Sequence, residues 1–99
     1  MEVYLTYFAV GPESLPFKGR NFSGAFVTCF ASASDIVSAI QISRDTLISD
    51  GYEIASIDKC LKFDREEWEE DQEIIDLAEE CEREDEILYS EFLCYREDS

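Results

Sequence analysis

Glu69, Glu73, Asp76 and Glu80 fall at i, i+4, i+7 and i+11, so on a helix their carboxylates share one outward stripe. Glu66, Glu70 and Glu84 flank that stripe. Side chains at these spacings stand ~5–6 Å apart, approaching the spacing of phosphates along a nucleic-acid strand. Carboxylates on a convex helix face do not make the cleft that paired-carboxylate catalysis needs. They diverge, whereas a calcium loop converges its oxygens on one point. Their chemistry is a local negative field, which suits Lys and Arg on a basic partner protein.

From residue 64 onward the chain has 17 acids and 3 bases, a net of −14, whereas residues 1–63 carry 7 acids and 5 bases, a net of −2. A solvated face is the ordinary fate of a charge run, but two features argue for a partner. Like charges at i, i+4 each cost ~0.2–0.5 kcal/mol on a helix. Glu82, Glu84, Asp85 and Glu86 would crowd the last turn, where the helix dipole favours cations, and Arg83 is placed to relieve only Glu79 or Glu80. Local rules broken without compensation point to function.

The rest of the composition narrows the class. A chain of 99 residues is one domain, and 45% hydrophobic with 13% aromatic residues is too apolar for a disordered acidic tail. A pI near 4.1 argues against direct nucleic-acid binding and against anionic membranes. There is no histidine, no G-x-G-x-x-G, no phosphate loop and no G-x-S-x-G, so no enzyme is expected and no cofactor. Cys29, Cys60, Cys81 and Cys94 match no zinc spacing and read as buried free thiols of a reducing compartment, with no metal site. Glu2 stands where a secretion signal is basic, and no apolar run approaches the ~20 residues of a membrane helix. A cytoplasmic protein is expected.

The elements that must position the acids follow from periodicity and punctuation. Residues 3–10 are rich in β-branched and aromatic side chains and read as a strand. Residues 11–21 form a loop. Residues 22–30 are a second strand that places Phe22, Phe26 and Phe30 on one face, with Gly24 marking a bulge or a close approach. Ser32 and Asp35 have capping-box spacing before a helix that would bury Ile36, Val37, Ile40, Leu47 and Ile48 and stop at Asp50-Gly51. Residues 52–63 are a third strand, with Ala55, Ile57, Leu61 and Phe63 in phase and Lys59 interrupting them. The acidic helix, about 64–86, starts with a capping box of Asp64 and Glu67 and a staple of Phe63 and Trp68. Its apolar stripe is Ile74, Leu77, Ala78 and Cys81. Residues 87–95 are the last strand. The fold expected is a single α+β domain, 1–99, in the order ββαβαβ. It is a two-layer sandwich of a four-stranded, mostly antiparallel sheet with two helices on one face. Phe26, Phe30, Ile40, Leu47, Ile57, Leu77 and Phe92 are its expected core.

Loop 11–21 reads as an ordinary connection that partly covers that core; the alternative is a second contact patch, with Phe17 as an exposed aromatic anchor beside Lys18 and Arg20.

The layout resembles small bacterial immunity proteins, the cytoplasmic antidotes of polymorphic or contact-dependent toxins. The likeness lies in a helix ending in SDGYEIASI, a strand, the Trp-containing acidic segment REEWEEDQEI and a closing strand LYSEFLCY. It covers about the last two thirds of the chain. The resemblance implies a non-catalytic protein that binds one basic toxin, such as a nuclease. Two alternatives share the same charge: a phage-type nucleic-acid mimic that inhibits a nuclease, restriction or CRISPR complex, and an acidic subunit of a housekeeping assembly. Oligomeric state is left open.

Overall fold

Along residues 3–10 side chains alternate between two faces of a strand, and both faces are covered. The structure, a computed structural model, describes residues 1–96. Strands β1 (Glu2–Val10) and β2 (Gly24–Ala33) pair antiparallel at the centre of the sheet. Helix α1 (Ile36–Ser49) leads to strand β3 (Ile54–Lys62), and helix α2 (Gln72–Glu84) leads to the short strands β4 (Leu88–Tyr89) and β5 (Leu93–Tyr95). The sheet order is β3-β1-β2-β4, with β5 also on β2, and every pairing is antiparallel. The α+β class, the antiparallel sheet and the ββαβαβ order agree with the sequence reading.

The placement of the helices does not. Residues opposite one another in an antiparallel ladder point to the same face. Phe8 pairs with Val27, and Thr6 with Cys29. Leu47 of α1 joins Phe8, Val10, Val27 and Cys29 in one cluster, and Ala39 joins Tyr4 and Ala33 in another. Leu5 pairs with Phe30 on the opposite face. There Ala78 and Cys81 of α2 pack with Val3, Leu5 and Phe30. The two helices therefore lie on opposite faces, and the fold has three layers, not two.

Helix α1 is also turned from its expected orientation. Asp35 caps it, its carboxylate accepting the Ser38 N–H at 2.8 Å, whereas Ser32 lies within β2. That hydrogen bond holds the Asp35 carboxyl below its ordinary value. The stripe on the sheet is Ala39, Ser43 and Leu47. Small side chains face the sheet because Tyr4 and Phe8 already fill the space between the layers. Ile36, Val37 and Ile48 are left 44%, 69% and 46% exposed. The helix ends as expected. The Gly51 N–H reaches the Ile48 carbonyl, and the Tyr52 N–H reaches the Leu47 carbonyl, the paired bonds of a Schellman stop. Gly51 takes φ +93°, and a Cβ there would lie 3.0 Å from Leu15 Cβ. Gly51→Ala is expected to cost about 1–2 kcal/mol in a urea titration.

The expected core is partly corrected. Phe30 and Leu47 are fully buried. Ile40, Leu77 and Phe92 are half-buried. Phe26 and Ile57 are exposed, at 53% and 40%. Edge strand β3 slips register twice against β1, between Tyr7 and Phe8 and between Ala9 and Val10. Each slip inserts a residue and inverts the phase, so Ile57, opposite Phe8, faces away from Leu61, opposite Leu5. The last strand is likewise broken at residues 90–92. Ser90 bridges the break, its N–H donating to the Thr28 carbonyl and its Oγ accepting the Thr28 N–H at 2.9 Å. Gly24 marks a close approach, because a Cβ there would stand 2.7 Å from the Tyr95 hydroxyl.

Candidate functional site

The acidic segment is a turn run followed by a helix. Residues 65–70 are turns, and α2 begins at Gln72. Asp64 makes a local turn, its Oδ1 accepting the Glu66 N–H at 3.0 Å, so the expected capping box of Asp64 and Glu67 does not form. Asp71 is the cap, accepting the Ile74 N–H at 3.3 Å. Phe63 is pinned to the Val3 carbonyl, and Trp68 packs with it against the Val3, Leu5 and Phe30 cluster. Turns bring the indole back to the sheet. They also relieve the like-charge pairs Glu66/Glu70 and Glu69/Glu73 that a continuous helix would create.

This divides the expected stripe. Glu73, Asp76, Glu80 and Glu84 are exposed on α2, while Glu66, Glu69 and Glu70 are exposed on the turns before it. Arg65 joins the two parts by a 2.8 Å ion pair with Glu79. Arg83 pairs with its neighbour Glu84 at 3.4 Å, and not with Glu79 or Glu80. Gln72 donates to Asp76 at 2.7 Å. Among the described residues, Glu66, Glu69, Glu70, Glu73 and Glu80 have no cation partner. The helix ends at Asp85 in the left-handed region, φ 52°, with no compensating cation beyond Arg83.

The second patch is only half present. Phe17 is 6% exposed, set edge-on to Phe22 and Tyr52 at 5.6 and 5.7 Å, and cannot be an exposed anchor. Its loop is stitched down by Ser14, whose Oγ donates to the Gly11 carbonyl and accepts the Glu53 N–H. Lys18 and Arg20 remain exposed.

A groove that sequence reasoning missed lies on the α2 side of the sheet. Helix α2 roofs Val3, Leu5 and Phe30, leaves Tyr7 half-buried at its edge, and stops short of Phe26, which is exposed beside the buried Thr28. A cavity of about 420 Å3 opens there, with Leu93, Asp58 and Glu91 at its margins. The Lys59 ammonium stands 4.9 Å over the Tyr7 ring. Half of the signal was available, since Phe26 shares a strand face with Phe30; that α2 begins only at Gln72 and cannot cover both was not.

Burial pushes the Cys29 thiol up to about 12 and raises that of Cys81, which makes both poor nucleophiles. Among the described residues no group of three His, Cys, Asp or Glu side chains could hold a metal ion, and no helix is long and apolar enough to cross a membrane. Comparison with protein-family models, with curated proteins and with solved structures gives no match.

Proposed function

We propose that this protein is a non-catalytic, cytoplasmic binder that neutralises a basic protein partner, in the manner of a toxin immunity protein. The observation that carries the reading is the layer of exposed carboxylates without cation partners, Glu66, Glu69, Glu70, Glu73 and Glu80, on one side of the sheet. Such a layer steers a cationic surface and raises its rate of encounter. The bend between turns and helix interrupts the even spacing that a phosphate mimic would need, and so favours an irregular basic protein surface.

Co-purification with mass spectrometry identifies the partner. Association rates are then measured across a salt series for the parent and for the Glu69→Gln, Glu73→Gln, Asp76→Asn, Glu80→Gln protein. The neutralised protein is expected to bind at least about tenfold more slowly at low salt and with a flatter salt dependence. Its fold should survive, because like-charge repulsion falls. Equal association rates at low salt would sink the reading.

A further inference from the structure

The bare half of the α2 face is a shallow apolar groove, and each edge of the sheet brings one carboxylate to its margin. Phe26 and Leu93 are 53% and 64% exposed, and Phe26 stacks on Tyr95 at 5.3 Å. With Tyr95, 37% exposed, they form a contiguous apolar cluster, the kind of surface that interaction sites are built on when they have a concave floor beside them. Asp58 reaches the groove from the β3 bulge, where it is the unpaired residue between Ile57 and Lys59. Glu91 reaches it from the break between β4 and β5. Interruptions of this kind re-aim side chains, and here both edges deliver an acid to the same cavity.

We propose that this groove seats an apolar side chain of the basic partner, with lysine or arginine residues beside that side chain meeting Asp58 and Glu91. The inference rests on the acidic-surface reading and adds its anchor. Charge complementarity selects the occupant, since an apolar floor between two carboxylates fits an apolar residue flanked by cations. The groove is also continuous with the acidic layer. Trp68 and Tyr7 pack on the same cluster, and burial, then the charge of Asp71, raises the Tyr7 phenol above its ordinary value. Lys59 over Tyr7 is an internal instance of a cation held on this floor. A second copy of the chain is a poor occupant, because it would bring a net charge of −16 against −16 and carry the same acids.

The test uses two synthetic peptides of equal positive charge, rich in lysine and arginine, one with a central leucine and one with a central serine. Amide shifts of the isotope-labelled protein are recorded with each. The leucine peptide is expected to shift Phe26, Thr28, Asp58 and Leu93 and to bind about tenfold more tightly than the serine peptide. The Phe26→Ser, Leu93→Ser protein should lose that preference while still binding both peptides. Asp58→Asn with Glu91→Gln should weaken the leucine peptide with the fold intact. Equal affinities, with shifts confined to residues 64–86, would overturn the groove proposal and leave the acidic-surface reading standing. No shift in residues 64–86 with either peptide at low salt would remove both. Groove shifts that grow with protein concentration alone would overturn the proposal in favour of a second copy.

Discussion

Phe30→Ala is expected to remove about 3–5 kcal/mol of unfolding free energy, whereas Phe26→Ala, four residues earlier on the same strand face, should cost about 1 kcal/mol. Phe30 is fully buried opposite Leu5 and beneath Ala78 and Cys81 of α2. Removing its ring leaves a cavity between helix and sheet that neither layer can close. A domain of this size has only ~5–15 kcal/mol in all, so the variant should be marginal at 25 °C. Phe26 is half in water and rests mainly on Tyr95. Urea titrations of the two variants measure the contrast. Equal losses would mean that α2 covers the whole face, and the groove would not exist.

Stability is expected to be flat to about pH 8 and to fall steeply from pH 9 upward. Burial raises the Cys29 thiol from its ordinary 9.0 to about 12. Burial, and then the hydrogen bond its hydroxyl donates to Asp50 Oδ2 at 2.7 Å, raises the Tyr89 phenol. Burial, and then the charge of Asp50, raises Tyr52. In each case the unfolded chain releases its proton at a lower pH than the folded one. The folded state therefore binds more protons in this window, and stability falls as pH rises from the unfolded value toward the folded one. For Cys29 alone, a rise from 9.0 to about 12 corresponds to roughly 4 kcal/mol by pH 12. Urea midpoints measured from pH 8 to 11 under reducing conditions should show the decline. Cys29→Ala, less stable at pH 8, should decline less steeply. A parent protein as stable at pH 10.5 as at pH 8 would refute the burial argument.

Local chemistry decided much of this protein by itself. The order of elements, the stop at Gly51 and the confinement of acid to the last third all follow from residues within a few positions of one another. The three-layer arrangement left a signal that the two-layer reading passed over. Residues 3–10 run apolar with little polar alternation, which is the pattern of a strand buried on both faces.

Tertiary structure decided the rest, because the deciding partners are distant in sequence. Asp64 and Asp71 are both acceptable caps. The second is used because Trp68 must return to a cluster built from Val3, Leu5 and Phe30, and a helix begun at residue 65 would carry it past them. Phe17 is buried because Tyr52 and Phe92 reach it from two distant segments and close over it with Phe22 of its own loop. The phase of β3 inverts because its bulges answer the register of β1 and not its own alternation. The groove exists because α2, shortened by the turns before it, covers only half of a sheet face whose strands continue beyond it. Spacing along the chain specifies which side chains share a face only while the element stays regular; bulges, breaks and the docking of one element on another decide the rest, including how much of a face is left open.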